Sequence, residues 1–447
     1  MIRYGFCGFL IGVLLFLMSS CLGTDSTDTE DWALANAQIA SFSVACDSVP
    51  ELASVIFTID QVNGEIFNKD SMPYGTILKE KVICTLTYEV GALGVQIMPE
   101  ATGDTVSTTD SVDFTMPVKI VVYPYDGISQ KTYVARLNIH QVNPDSIIWN
   151  RSSELIKGRA FDDIKVVLFN AKYILYALEK GIIRVYTSDN PDEGEWTAKS
   201  LTGLSENIDI SQITEYDGLL YAVSGGVLFG SADGLEWKKT EGAPPIKALL
   251  GSVPEGAANK KTLLAAITDE DSEQLYFTVF DKETGWTTGD KVPDNFPLTG
   301  FGGVNYESMY YQRLLIAAGR DAKGNVSDKS WSTIDGRQWV ALSNAGATFS
   351  PREGASVFGY DSCLFLFGGT NSTGAALKDI YRSKDNGVTW FSEDYVFPND
   401  FAARGFTSAF VDKENYILLF GGKVGRDMKV LNELWRGRIN RLGFKDD

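Results

Sequence analysis

The sequence has very little histidine, with one residue, His140, in 447. Zinc or copper sites with several imidazole ligands therefore cannot be built, and a Ser-His-Asp triad would have to use this one residue. His140 alternates with Leu137 and Ile139 near the end of a predicted strand, which favours a structural histidine. Neither a phosphate-binding glycine loop nor an EF-hand string is present. We therefore expect no catalytic residue, no metal site and no cofactor.

Basic residues are also in deficit, with 40 Lys and Arg against 58 Asp and Glu. The formal net charge of −18 would repel a phosphate backbone, so nucleic-acid binding is disfavoured. The hydrophobic share of 44% is that of an ordinary globular protein.

Residues 1–21 have one charge, Arg3, and an apolar run of 14 residues from Gly5 to Met18. At ~1.5 Å per residue this run gives about 21 Å of helix, which is shorter than the ~30 Å hydrocarbon core, so a spanning helix is disfavoured. The run ends in MSSC at 18–21, which resembles a bacterial lipobox. That resemblance implies lipidation of Cys21 and a membrane anchor. An ordinary signal peptide that happens to contain a cysteine is the alternative.

Residues 22–35 form an acidic tether that contains Asp25, Asp28, Glu30 and Asp31. A tract rich in Ser, Thr and Asp cannot bury enough surface to fold, so we expect it to be solvated. It resembles the surface-export signals of Bacteroidota lipoproteins, although its acidic residues start later than in that pattern. We expect an outer-membrane lipoprotein of the cell envelope, either periplasmic or surface-exposed.

Residues 36–145 alternate between apolar and polar side chains, for example at 40–44, 82–86 and 118–122. About 110 residues of short, half-buried antiparallel strands predict a β-sandwich. The strings at 113–118 and 133–135 resemble the immunoglobulin-like domains that open many Bacteroidota envelope lipoproteins. The resemblance implies a stalk or an adaptor.

Three cysteines remain once Cys7 leaves with the signal and Cys21 is acylated, namely Cys46, Cys84 and Cys363. Cys46 and Cys84 fall in the same predicted domain and could pair in an oxidising periplasm. Buried free thiols are the favoured alternative.

Residues 146–447 carry a tryptophan repeat. A tryptophan follows a turn containing Gly or Asp five times, at spacings of 41, 49, 53 and 51 residues; these are Trp196, Trp237, Trp286, Trp339 and Trp390. A period of about 40–50 residues with strand patterning is typical of four-stranded propeller blades.

The sixth blade is predicted from the two ends of this region. Trp149 lies 47 residues before Trp196, whereas the last blade, around 418–436, has no outer strand of its own. We predict that residues 147–149 supply that strand, which removes an open sheet edge. The predicted fold class is all-β, an immunoglobulin-like β-sandwich followed by a six-bladed β-propeller that is closed by an N-terminal outer strand.

The repeat resembles two families of propellers. The string SKDNGVTW at 383–390 matches the Asp-box turn of sialidases and sortilin-like propellers, with degraded copies at 231–237 and 332–339. PREG at 351–354 and FGG at 367–369 and 420–422 resemble kelch repeats. In the Asp-box the carboxylate accepts hydrogen bonds from the turn backbone. The resemblance therefore implies structural roles for the acidic residues Asp233, Asp335 and Asp385 and for the six tryptophans.

The repeat says little about chemistry. Galactose oxidase shares the kelch architecture, but its copper needs two propeller histidines, and residues 146–447 contain none. A sialidase-like hydrolase or lyase is the alternative, although the Phe-Arg-Ile-Pro string of sialidases is absent. We expect a non-catalytic binding or scaffold protein whose propeller recognises a glycan or an envelope protein. The oligomeric state is left open.

Four basic residues stand at the entrances of predicted innermost strands. Arg159, Arg352 and Arg404 each lie 16 to 18 residues before the equivalent second-strand position, and Lys247 is the third-blade counterpart. Because innermost strands line the channel, these residues could form an anion-binding mouth for a carboxylate or a sulfate. The alternative is that the arginines tie adjacent blades together.

Overall fold

The protein is described from a computed structural model. The described residues are 36–78, 82–89, 92–152, 154–204, 208–256, 262–271, 274–308, 310–342 and 346–443. Cys21, the signal at 1–21 and the tether at 22–35 lie outside them. In this part of the chain the regular structure is β-strand with four short 3₁₀ turns, and no helix is long and apolar enough to cross a membrane. The chain divides between Pro144 and Asp145 into two compact units.

The described residues of the first unit form eight strands in two sheets. The strands are β1 (Ile39–Ala45), β2 (Phe57–Asp60), β3 (Glu65–Asn68), β4 (Val82–Tyr88), β5 (Ala92–Pro99), β6 (Ser111–Val112), β7 (Val118–Pro124) and β8 (Lys131–Arg136), with a 3₁₀ turn at Pro50–Ser54. One sheet has the order β1-β4-β6 and the other β2-β3-β8-β7-β5. Both sheets contribute to one apolar core, in which Ile39, Ile120 and Tyr133 are fully buried. The immunoglobulin-like assignment stays a prediction.

The pairing of β3 with β8 differs from the expected antiparallel pattern, because Glu65 pairs with Val134 in parallel. Parallel neighbours cannot be joined by a tight hairpin. Here the chain between them passes through both sheets, which the alternation of side chains along each strand could not reveal.

Cys46 and Cys84 are not joined in a disulfide and are both buried in this core, where the Cys46 thiol lies 3.1 Å from the Ser48 hydroxyl. Burial raises the pKa of the Cys84 thiol to about 12. The backbone N–H of His140 donates to the carbonyl of Met72 at 2.9 Å, which fastens the end of this unit.

The second unit contains six four-stranded antiparallel sheets, numbered here as blades 1 to 6. After β9 (Ile147–Arg151), blade 1 contains β10 (Asp163–Phe169), β11 (Lys172–Glu179), β12 (Ile182–Ser188) and β13 (Thr197–Lys199); blade 2 contains β14 (Thr214–Tyr216), β15 (Leu219–Ser224), β16 (Val227–Ser231) and β17 (Lys238–Lys239); and blade 3 contains β18 (Ile246–Val253), β19 (Leu263–Asp271), β20 (Gln274–Asp281) and β21 (Gly285–Lys291).

Blade 4 contains β22 (Thr299–Ser308), β23 (Tyr311–Arg320), β24 (Ser330–Thr333) and β25 (Val340–Leu342); blade 5 contains β26 (Ser356–Tyr360), β27 (Cys363–Phe367), β28 (Ile380–Ser383) and β29 (Phe391–Glu393); and blade 6 contains β30 (Ser408–Val411), β31 (Ile417–Phe420) and β34 (Leu434–Ile439), with the hairpin β32 (Lys423–Val424) and β33 (Lys429–Val430) between the last two. Three 3₁₀ turns lie at Pro191–Glu193, Ile210–Gln212 and Asn440–Gly443.

Strand β9 is the fourth strand of blade 6, at the position predicted for residues 147–149. It pairs antiparallel with β34, and Trp149 stands opposite Gly437. A Cβ atom at position 437 would lie 2.3 Å from the Trp149 ring, so only glycine leaves room for the indole. The ring stacks on Phe397 with centroids 5.1 Å apart.

Apolar clusters fill the spaces between neighbouring blades. Ile164 and Leu175 of blade 1 pack with Leu418 and Phe420 of blade 6. The same kind of cluster joins blades 4 and 5. Because each blade buries both faces in this way, the inner edges of the innermost strands are left to form the wall of a central channel.

Candidate binding channel

Three of the six repeat tryptophans follow a turn that is organised by an aspartate. In the turn at 383–390, the Asp385 carboxylate accepts hydrogen bonds from the Thr389 N–H at 2.8 Å and from the Ser383 hydroxyl at 2.9 Å. The Trp390 indole donates to the carbonyl of Gly387 at 3.2 Å. The turn at 231–237 repeats this pattern, since Asp233 accepts from two backbone N–H groups and Trp237 donates to the carbonyl of Gly234.

The third turn begins one residue later than the sequence comparison suggested. The hydroxyl that bonds Asp335 belongs to Thr333 and not to Ser332, so the repeat covers 333–339. Trp339 donates to the carbonyl of Gly336 at 3.1 Å.

The hydrogen bonds lower the pKa of two of these aspartates, Asp385 and Asp233. Burial alone would raise the pKa of Asp385, but the hydrogen bonds from Thr389 outweigh it and hold the pKa below its usual value. The same balance, with backbone N–H donors from Glu236 and Leu235, lowers the pKa of Asp233. These carboxylates are therefore ionised and committed to their turns.

The other three repeat tryptophans hold the blades by packing alone. Within the described part of the chain, the indole nitrogens of Trp149, Trp196 and Trp286 are buried without a hydrogen-bond partner. Trp196 packs edge-on against Phe420 of blade 6, at 6.4 Å between ring centroids.

Arg352 and Arg404 do not form an anion-binding mouth, and the prediction is wrong for both. Their side chains are 0% exposed. Arg352 holds Asp379 bidentately, at 2.6 and 2.9 Å, and also donates to the carbonyl of Gly368. Arg404 donates to Glu433 at 2.7 Å and to the carbonyl of Gly421 at 3.0 Å. The donors that would meet a ligand are already used within the blade.

The main chain of each arginine joins its blade to the preceding one. The Arg404 N–H donates to the carbonyl of Leu377, and its carbonyl accepts from Gly369, each at 2.9 Å. Arg352 makes the equivalent pair with Ser327 and Gly319. This is the geometry of the structural alternative, in which the arginines fasten adjacent blades.

Arg159 and Lys247 also lie apart from the channel wall. The Arg159 side chain is 49% exposed and pairs with Glu179 at 3.0 Å, where Arg184 pairs as well. Lys247 is exposed on the second residue of β18. Neither side chain points to a shared site with the buried arginines.

The channel itself is a cavity of about 380 Å³. Its wall is formed by the innermost strand of every blade, namely β10, β14, β18, β22, β26 and β30, together with the residues just before them. Glycine, serine and threonine form a third of the lining residues, and most of the others are apolar. A Cβ atom at Gly302 would lie 2.6 Å from the carbonyl of Ala355, so the inner strands approach one another too closely for a larger residue.

Few charged residues line this cavity. Asp163 forms an ion pair with Lys423 at 2.8 Å, which joins blade 1 to blade 6, and Glu215 lines the wall from blade 2. Lys165 lines it from the middle of β10. Within the described ranges, His, Cys, Asp and Glu form no group of three that could hold a metal ion.

Sequence reasoning missed Lys165. The signal was a lysine inside the otherwise apolar string IKVVLF at 164–169. The same pattern is equally typical of a lysine that faces solvent on a half-buried strand.

Six four-stranded sheets arranged about one channel define a six-bladed β-propeller. The chain belongs to the DUF6242 family, because the model described as the DUF6242 beta propeller domain matches residues 143–447. A second model, the DUF6242 N-terminal domain of unknown function, matches residues 25–137. The solved structure titled "Structure of YjhT" is 14% identical, with a TM-score of 0.46, over 63% of this chain and 96% of that chain. No curated protein matches the chain.

Proposed function

We propose that this protein is a lipid-anchored binding protein of the cell envelope, whose propeller recognises a glycan or a partner protein at its central channel without catalysing a reaction. The channel carries the proposal. Its volume of about 380 Å³ falls within the ~300–1,000 Å³ of small-molecule sites. The wall combines apolar side chains with glycine, serine and threonine, and such a mixture suits a sugar ring, which has apolar faces and polar edges.

The way the charged groups are used supports binding over catalysis. Asp163 is neutralised by Lys423, and Glu215 accepts a hydrogen bond from the N–H of Gly218 at 3.2 Å. A glycoside hydrolase would need one carboxyl group with a raised pKa beside a second, ionised one. Asp163 and Glu215 belong to different blades, and each is bonded to a partner other than a second carboxylate.

The membrane anchor and the outer-membrane location rest on the sequence around Cys21. They are supported by the lipobox-like string at 18–21 and by the polar tether at 22–35. Mass spectrometry of the mature N-terminus is the direct measurement for this part of the proposal.

A glycan array with the chain from residue 22 onward tests the proposed binding. Any glycan that binds is then incubated with the protein, and the products are analysed. Binding without product is the expected result, whereas a cleaved or rearranged sugar would favour the enzymatic alternative.

A matched pair of variants locates the binding. Asn305 is exposed on the channel wall, so Asn305→Trp should obstruct the cavity without disturbing a buried contact. Thr197→Trp places the same side chain on the exposed outer strand of blade 1. Loss of binding in the first variant alone is expected. Equal binding by both variants would place the ligand outside the channel and overturn the proposal.

A further inference from the structure

Lys165 is the one lysine of the channel wall without a bonded partner. Its amine forms neither a hydrogen bond nor an ion pair with any described residue, whereas Lys423 is paired with Asp163. Lys165 stands opposite Tyr176 in the β10–β11 ladder, so the two side chains share the face that turns toward blade 2. Lys165 is partly exposed, and it reaches solvent in the channel that it lines.

The acidic groups near Lys165 are already engaged. Asp163 is held by Lys423, as described above. Asp209 begins the 3₁₀ turn Ile210–Gln212, where its carboxylate accepts from the Ser211 N–H at 2.9 Å and from the Ser211 hydroxyl at 2.5 Å. These two carboxylates attract Lys165 from a distance without contacting it.

The remaining titratable groups that face this region do not supply a partner either. The Tyr176 hydroxyl donates to the carbonyl of Gly234 at 2.7 Å, and burial raises its pKa, so it stays neutral. Glu215 is turned to its own hairpin and accepts from Gly218. A partly buried amine that contacts no counter-ion is less stable than a paired one, and a ligand that supplied a contacting carboxylate would remove that cost.

We infer that Lys165 is the charge partner of an acidic sugar, whose carboxylate it binds inside the channel. The inference rests on the proposed function, since it names the class of ligand for the same site. A carboxylate on a sugar ring fits both features of the cavity, because the ring meets the mixed apolar and polar wall while the acid meets the amine. A neutral sugar of the same shape would leave Lys165 unpaired.

The protonation of Lys165 should change when a sugar acid binds, and this change can be measured. Burial lowers the pKa of Lys165 in the free protein, and a bound carboxylate favours the charged amine. Binding of a sugar acid should therefore draw a proton from the buffer at pH values near and above that lowered pKa, where the free amine is partly deprotonated. As the pH rises, placing that proton on Lys165 costs more, so the affinity for the acid should fall. A neutral sugar should show neither effect.

The test is calorimetric titration of the chain from residue 22 onward with galacturonate and with galactose, which differ only in the carboxylate. Each titration is repeated in two buffers of different ionisation enthalpy, which reports proton uptake without any mutation. We expect galacturonate to bind at least about tenfold more tightly, the order expected of a hydrogen bond between charged groups. We also expect proton uptake with galacturonate alone.

Three variants separate Lys165 from the general charge of the channel. Lys165→Met should reduce galacturonate binding to the level of galactose. Lys247→Met, at an exposed lysine outside the channel wall, should leave the preference unchanged. Lys165→Arg should keep the preference and lose the proton uptake, because a guanidinium stays charged at every working pH.

The outcomes distinguish this inference from the proposed function. Equal affinity for the two sugars, a preference for galacturonate that survives in Lys165→Met, or no binding of galacturonate overturns the role of Lys165. A glycan array with hits that Asn305→Trp abolishes would still support the channel as a binding site in each of those cases. An array without hits would count against the proposed function itself.

Discussion

The buried ion pair of Arg404 offers the sharpest test of how the blades are held together. Replacing Arg404 with methionine keeps an unbranched side chain at this position and removes the guanidinium with its donors. The lost interactions are the hydrogen bonds to Glu433 at 2.7 Å, to the carbonyl of Ala402 at 2.9 Å and to the carbonyl of Gly421 at 3.0 Å. The guanidinium also leaves the face of the Phe401 ring, 4.3 Å from its centroid.

The expected loss of folding stability in Arg404→Met depends on the partners that Glu433 keeps. Removing one partner of a buried pair costs about 3–5 kcal/mol, because the remaining charge is left uncompensated. Glu433 keeps Arg151 at 2.7 Å and the Trp435 indole at 2.9 Å, so we expect the lower end, about 3 kcal/mol. At roughly 2–4 °C per kcal/mol this lowers the Tm by about 6–12 °C.

Arg159→Met is the matched control, since it removes the same group from a half-exposed pair whose Glu179 keeps Arg184. An exposed pair of this kind contributes about 1 kcal/mol or less. Thermal unfolding followed by circular dichroism measures both variants, with calorimetric titration against galacturonate beside it. If Arg404→Met melted like the control but no longer bound the sugar acid, the structural role of Arg404 would be refuted and the anion-binding mouth restored.

Three further predictions concern other parts of the chain. Asp385→Ala should cost about 1–3 kcal/mol at pH 7, the order of a hydrogen bond to a charged group; because the pKa of Asp385 is lowered, this difference should persist above about pH 4 and shrink in stronger acid. Urea titrations at pH 7 and pH 3 measure it, and an equal difference at both would contradict it. Deletion of residues 147–151 should expose the edge of β34 and cause aggregation or early melting, visible by light scattering, whereas an unchanged Tm would mean that β9 does not complete blade 6. Cys21→Ser should block processing or release the protein from membranes, and mass spectrometry should find an acylated N-terminal cysteine in the unmodified protein; an N-terminus elsewhere would rule this out.

The blade pattern was predictable because one large residue marks each blade. A tryptophan after a tight turn must be buried between sheets, so its spacing along the chain reports the spacing of the outer strands. The spacing could not say which turns are organised by hydrogen bonds. Trp286 and Trp390 look alike in the repeat, yet only Trp390 has an indole partner, because Asp385 and Gly387 shape its turn.

The depth of the arginines was not predictable from their distance to a glycine. That distance fixes where the loop begins but not whether the side chain turns into the blade or into the channel. A usable signal lay further along, since Asp379 and Glu433 stand 27 and 29 residues after Arg352 and Arg404, directly before the third strand of the blade. An acid repeated at that distance would have predicted the buried pairs.

The position of β9 has a consequence for how the propeller is made. During synthesis β9 leaves the ribosome before its partner. β34 follows after a further 283 residues, from Arg151 to Leu434. At about 5–20 residues per second the delay is roughly 15–60 s. During this time the indole of Trp149 lacks the strand that carries its partner Gly437. Blades 1 to 5 each consist of consecutive strands, so they can form before β34 is synthesised. A ribosome that stalled before Gly437 would therefore release a chain with two unsatisfied strand edges, one at each end, and these are the surfaces that a chaperone would have to shield.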